Sequence, residues 1–368
     1  MKNNFFTLKF IMAVILIFIL LDLFVGKYIY NKFIRDEFVD VDSTFGLKDD
    51  VYDHKFKSSY NTLVGWGKYR YRFCTDVNGF RSSCENQFDD TKTFDIAFIG
   101  DSFTEPVGIS FEKSFVGIIS SNLKNKKIAN LSAASYSPSI YYSKINYLLS
   151  QGYKFNEVIV FIDLSDIVDD SLCYKLEKNK VVRRDSYLNC YEQKINSTER
   201  ISNFIKRKLK FTYESYKLIM FGFKKIGVVK YKVPFYVTNH PRSDWTHNYN
   251  KENYNNFSYK ESTDLLIENM EKLAQLLKNH KIKLSIATYP WPGTLKYDIA
   301  NNKHLMMWKN FCVTNCKIFY DFMKPFYDIL NKEKFTNVYR KIYIENDQHF
   351  NEIGHKIIAE NFLKLYKD

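Results

Sequence analysis

Hydrophobic positions fall into two patterns along this chain. Short apolar runs end abruptly at turn residues, and longer segments carry apolar residues at three- and four-residue spacing. Residues 94–99 (FDIAFI) stop at Gly100, residues 128–131 form a second run, and residues 157–164 (EVIVFIDL) a third. Residues 282–289 form a fourth, stopped by Pro290-Trp291-Pro292-Gly293. Continuous apolar runs of this length predict strands covered on both faces. Residues 113–123, 139–150 and 263–279 read as the intervening helices; in the last, Leu265, Leu266, Met270, Leu273, Leu276 and Leu277 lie on one stripe. Residues 305–312 and 322–331 read as helices, 338–344 as a short strand and 351–367 as the closing helix. Such alternation predicts a three-layer α/β domain around a parallel sheet.

Two regions stand outside the rhythm. Residues 36–93 read as a lead-in with short strands and a turn at Val77-Asn78-Gly79-Phe80-Arg81. Residues 170–260 read as an insertion, polar and basic at 206–210 and at Lys224, Lys225, Lys230 and Lys232, around Leu218-Ile219-Met220-Phe221-Gly222-Phe223. That patch is either an amphipathic element at a membrane surface or the small core of the insertion; the second reading is adopted.

The N-terminus carries an apolar run from Phe10 to Gly26, with Asp22 as its one charge. With its flanks it reaches the roughly 20 residues that span a bilayer core. A cleaved signal peptide is the alternative, but the run is long for one and no small-x-small site follows. The expectation is an uncleaved single-span anchor over 1–35, a lead-in over 36–93 and an α/β domain over 94–368.

Six cysteines form three close pairs, Cys74/Cys84, Cys173/Cys190 and Cys312/Cys316. Disulfides in an oxidising compartment, or six reduced buried thiols, fit that count. Four-residue helical spacing makes the last pair awkward to bridge. No spacing suits a metal, and none is expected. Hydrophobic residues make up 45% of the chain, enough for a core and too many for global disorder. The net charge of +13 fits an anionic partner, or simply a Lys-rich background. No zinc-finger spacing, aromatic RNP strand or basic arm points to nucleic acid.

Candidate chemistry sits at both ends of the α/β region. Gly100-Asp101-Ser102-Phe103 follows a buried strand, at the sheet edge where open α/β folds bind ligands. Asp347-Gln348-His349 precedes the last helix. An imidazole can take a serine proton while a carboxylate fixes its tautomer. Asp244-Trp245-Thr246-His247 is a rival acid–base pair in a polar loop. His355 reads as a packing residue, Asp101, Asp163 and Asp166 as structural acids, and Trp291 as either a cleft-lining residue that binds substrate or a core residue.

These blocks resemble the SGNH (GDSL-like) hydrolase superfamily over roughly residues 94–366. The resemblance implies a three-layer α/β/α, flavodoxin-like fold, with Ser102 as nucleophile, His349 as base and Asp347 as the orienting acid. It implies an oxyanion hole built from the Ser102 backbone N–H, Ser135 in place of the family's second-block Gly, and Ser165 in place of its third-block Asn. The Asp347/His349 spacing resembles the membrane-associated O-acetyltransferase branch; many family hydrolases place the acid where Asn346 stands. The resemblance thus implies an esterase or O-acyltransferase without a cofactor. Its substrates would be an envelope glycan and a small acyl group, with a membrane acyl-donor partner. Its place would be the extracytoplasmic (periplasmic) side of a bacterial cytoplasmic membrane. A non-catalytic glycan-binding scaffold is the alternative.

Overall fold

The computed structural model describes residues 2–26, 28, 45–67, 69–85, 90–190, 209–226, 231–247, 253–254, 257–298 and 302–366. The chain forms two units, Met1–Val41 with Glu192–Lys232, and Asp42–Tyr191 with Val233–Asp368.

In the first unit, a helix over Lys2–Leu21 runs into a π-helical turn at Asp22–Gly26, and a second helix covers Lys210–Lys225. Asp22 explains itself here. Its Oδ1 accepts the N–H groups of Phe211 (2.6 Å) and Thr212 (3.1 Å). It therefore caps the second helix, where exposed N–H groups and the helix dipole favour a carboxylate. The expected membrane span needs correction. Among the described residues no helix is long and apolar enough to cross a membrane. Of the basic positions named in the insertion, Lys206, Arg207, Lys208 and Lys230 lie outside the described residues.

The second unit begins with two antiparallel hairpins. Strands β1 (Gly46–Asp49) and β2 (Asp53–Phe56) form the first, β3 (Asn61–Trp66) and β4 (Tyr69–Cys74) the second. The sheet follows with β5 (Thr93–Gly100), β6 (Ile128–Asn130) and β7 (Lys154–Phe161). Two small hairpins come next: β8 (Tyr174–Glu177) with β9 (Lys180–Arg183), and β10 (Asn253–Tyr254) with β11 (Phe257–Ser258). Strands β12 (Lys283–Thr288) and β13 (Ile318–Asp321) complete the sheet.

All pairings within the five-stranded sheet are parallel, in the order β6-β5-β7-β12-β13. The first strand thus lies between the second and third, the flavodoxin-like order. The chain reverses its direction of travel across the sheet at β5 and β7, and the crevice at their C-terminal ends is the usual ligand position. The strands predicted over 94–99, 128–131, 157–164 and 282–289 are all present, with ends shifted by a few residues. Ile96, Ala97, Phe98, Ile99, Val158, Ile159, Val160 and Phe161 are fully buried, as continuous apolar strands require.

Two elements differ from expectation. Residues predicted as a strand over 338–344 fall largely in a helix, Phe335–Ile342. Val338, Tyr339 and Ile342 are its buried residues, a helical spacing that β-branched composition obscured. Strand β13 gave no sequence signal, because its half-exposed residues form an edge. All six cysteines are bridged in the three expected pairs. The Cys312–Cys316 bridge is possible because the helix ends at Asn315 and Cys316 is extended, which brings the Cα atoms to 4.6 Å.

The closing helix, Glu352–Leu365, starts from Asn351. The Asn351 Oδ1 accepts from the N–H groups of Ile353 (2.9 Å) and Gly354 (3.2 Å), and its amide donates to the carbonyls of Lys341 and Tyr343. Asn351→Ala is expected to destabilise the fold by about 1–2 kcal/mol. The measurement is a urea unfolding midpoint with unchanged slope; an unmoved midpoint contradicts the capping role.

Candidate active site

Strand β5 delivers Ser102 to the crevice. Gly100 permits the exit: a Cβ there would lie 2.5 Å from Thr104 Oγ1 and 2.8 Å from the Phe161 carbonyl. The chain then turns back, with the Thr104 and Glu105 N–H groups on the Asp101 carbonyl. The Asp101 Oδ1 accepts from the Phe103 N–H at 3.0 Å. Ser102 is left partly exposed beside buried neighbours.

His349 arrives from the other end of the chain. Its Nε2 lies 2.8 Å from Ser102 Oγ. Its Nδ1 lies 2.5 Å from Asp347 Oδ1, and its own N–H donates to that oxygen at 2.8 Å. The loop between is held by Tyr339, whose hydroxyl accepts from the Asp347 N–H at 2.9 Å. The Phe103 ring packs at 4.8 Å from the imidazole. Burial opposes charge on Asp347, but the imidazole beside it, its hydrogen bonds and Trp66 outweigh that and hold the carboxyl down to about 2. Burial likewise disfavours a charged His349, yet the Asp347 carboxylate outweighs it and raises the imidazole above its ordinary value.

Behind Ser102 lies a buried acid network. Tyr289 Oη bridges Asp101 Oδ1 (3.1 Å) and Asp163 Oδ2 (2.7 Å), and Trp291 Nε1 donates to the same Asp163 oxygen at 2.7 Å. Burial, and then the neighbouring Asp163, push Asp101 well above the usual carboxylate range. Asp101 Oδ2 lies 3.1 Å from Ser102 Oγ. The serine hydroxyl thus has two neighbours that can accept its hydrogen, Asp101 Oδ2 and His349 Nε2. Asp166 and Asp169 are raised too, by burial first, Asp169 to about 7 despite its pairing with Arg242.

The residues expected at an oxyanion hole divide. Ser135 adopts φ 64°, the left-handed region that a glycine would occupy without strain. Among the described residues no acceptor engages the backbone N–H of Ser102 or Ser135. The Ser135 loop is held by its neighbours. Ala134 N–H donates to Glu105 Oε2 (2.6 Å), and the Ala134 carbonyl lies 2.8 Å from His54 Nε2. Ser165 is engaged elsewhere: its N–H donates to Asp163 Oδ1 at 2.7 Å and its hydroxyl faces Asp169 at 3.5 Å.

Trp291 requires correction as a cleft-lining residue. It is 3% exposed, with its N–H committed to Asp163, and acts as core beneath the site. The rival pair is not the one that faces Ser102. His247 Nδ1 faces Thr246 Oγ1 at 3.2 Å and its ring packs on Tyr297, while Ser102 faces His349. His355 packs as expected, buried and stacked on Phe115. Trp66 was missed: its Nε1 donates to Asp347 Oδ2 at 2.8 Å. A Trp in a polar lead-in 281 residues upstream carries no local signal of that contact. An open groove of about 670 Å³ includes Lys283 and Leu284 in its lining, at the opposite end of β12 from this chemistry.

No protein-family model and no curated protein sequence matches the chain. Solved structures do. The chain is similar to the acetyl xylan esterase AlAXEase (12% identity, 74% of this chain, 100% of that one, TM-score 0.42). It is similar to a catalytic mutant of Axe2, an acetylxylan esterase from Geobacillus stearothermophilus (13%, 74% and 93%, 0.40). A lipolytic protein of the G-D-S-L family from Veillonella parvula is also similar (12%, 74% and 97%, 0.39).

The left-handed Ser135 yields a test. Ser135→Gly is expected to keep or raise stability by up to about 1 kcal/mol, and Ser135→Val to lower it by about 1–2 kcal/mol. Thermal unfolding of both variants checks this; a glycine variant less stable than the valine one contradicts it.

Proposed function

We propose that the protein is a serine ester hydrolase of SGNH type that removes a small acyl group, acetyl in the simplest case, from a glycan hydroxyl. The observation that carries the reading is the hydrogen-bonded chain from Ser102 Oγ through His349 to Asp347, at 2.8 and 2.5 Å. His349 Nε2 takes the proton as Ser102 Oγ attacks the ester carbonyl, and returns it to the leaving sugar oxygen. Asp347 keeps Nδ1 protonated and stabilises the imidazolium. The Ser102 and Ser135 N–H groups face the developing oxyanion. With Ser165 committed to Asp163 and Asp169, the hole has two donors, and a missing third donor typically costs about 100–1000-fold in rate. Buried Phe103, Tyr289 and Trp291 beneath the nucleophile favour a short acyl chain. Three disulfides support a place in an oxidising compartment.

Transfer of the acyl group to a second sugar hydroxyl would use the same acyl-serine, and the two-residue Asp347/His349 spacing favours that branch. The readings separate when acetylated oligosaccharide is incubated with and without an acceptor glycan. Acetate release that ignores the acceptor sinks transfer.

A fluorophosphonate probe tests the nucleophile. The expected result is an adduct mass on Ser102, absent in Ser102→Ala and slowed by roughly 100–10,000-fold in His349→Ala. An intact protein without adduct at Ser102 overturns the enzymatic reading.

Labelling also carries a pH signature. Neutral His349 is the reactive form, so the rate rises with pH through the folded-state value. The Asp347 carboxylate has raised that value, so the midpoint is expected above that of an ordinary imidazole. A flat profile, or a midpoint below the ordinary value, contradicts the assignment of His349 as base.

A further inference from the structure

Asp347 divides its two oxygens between different partners. Oδ1 takes both the Nδ1 and the backbone N–H of His349, at 2.5 and 2.8 Å. Oδ2 takes the indole N–H of Trp66 at 2.8 Å. Rotation of the carboxylate about its Cβ–Cγ bond would break bonds on both sides, so the two sets of donors fix its plane. Trp66 ends strand β3 at the tip of a hairpin, where Gly67 takes φ 56°. Its ring stands edge-on to the imidazole, with centroids 5.3 Å apart. It also lies beside Gly108, where a Cβ would come within 3.6 Å of Trp66 Cδ1 and 2.5 Å of Ile344 Cδ1. The indole therefore touches both the loop that follows Ser102 and the loop that carries Asp347. It is 37% exposed and stands at the rim of the site.

We propose that Trp66 is a positioning residue of the active site: the hairpin upstream of the α/β domain reaches over the sheet edge, and its indole N–H orients Asp347 for His349. This rests on the serine-esterase reading in one respect, that the imidazole it steadies is the base of that reaction. The donor draws charge from the carboxylate. Its removal leaves Asp347 more basic and less well aligned, so His349 holds its proton more tightly while proton transfer from Ser102 slows. Other titratable groups whose charge acts on His349 are Asp101, Asp163, Glu105, His240 and His355.

The test is an NMR titration of the His349 imidazole in the whole protein, alongside the pH profile of fluorophosphonate labelling. Trp66→Phe keeps the ring and removes the donor. It is expected to move the His349 midpoint upward and to lower the plateau labelling rate roughly 3–10-fold. Val64→Ala, at a buried position of the same strand, loosens the hairpin and leaves the donor. It is expected to lower the melting temperature with the His349 midpoint unmoved. In the wild-type protein the Trp66 indole N–H resonance should titrate with the same midpoint as His349. That reading needs no variant and stands if Trp66→Phe does not fold. A flat indole resonance, an unmoved midpoint in folded Trp66→Phe, or an equal movement in Val64→Ala overturns the positioning role. Failure of wild-type Ser102 to label, with the indole still tracking His349, would count against the esterase reading and leave this contact standing.

Discussion

A single hydrogen-bonded path, from the Ser102 hydroxyl through the His349 imidazole to the Asp347 carboxylate, joins two loops 247 residues apart in the chain. It needs two surfaces to be right at once. Gly100 must let strand β5 turn sharply beside the Phe161 carbonyl, so that Ser102 stands clear of the sheet. Asn351 must start the last helix where the preceding loop can lay His349 over Phe103. The sheet order places both loops at the crevice where the strand sequence reverses, and so one short contact can close the site.

Burial makes that contact both costly and specific. His349 is 3% exposed, and an imidazolium there would be unstable without a carboxylate against it. Asp347 in turn is kept ionised by donors on both of its oxygens. The acids behind Ser102 show the opposite outcome. Asp101, Asp166, Asp169 and Asp170 sit close together in the interior, and burial pushes all four upward. Neighbouring carboxylates add to that push at Asp101, Asp166 and Asp169, so the cluster takes up protons more readily than exposed acids would. Tyr289 and Trp291 knit it to the floor of the site. One constellation thus contains an acid shifted down and acids shifted up, according to whether donors or burial dominates.

The lead-in segment belongs to this machinery. Its second strand brings His54 to the Ala134 carbonyl, next to the left-handed Ser135, and its fourth strand is tied down by the Cys74–Cys84 bridge. Lys144, buried among Tyr52, Tyr136 and Phe80, donates to the Leu131 carbonyl at 2.7 Å at the start of the same loop. The Ser135 loop and the Asp347 loop are therefore both braced by residues that precede the sheet.

What the sequence by itself determined was whatever is encoded locally. Four strands, the principal helices, the serine turn and the Asp-x-His approach to the last helix each lie within a few residues, where periodicity and turn chemistry act directly. Cysteine spacing named the three pairs, and the structure decided that all three are bridged. The edge strand β13 has only four residues, mostly half-exposed, and the helix at Phe335–Ile342 was hidden by its β-branched composition. Only the tertiary structure decided that Trp291 is floor rather than rim and that Ser165 points to Asp169. It also decided that Trp66 reaches Asp347 and that Asp22 caps a helix 189 residues away. Those are distances between remote segments, set by how layers pack, and no window along the chain contains both partners.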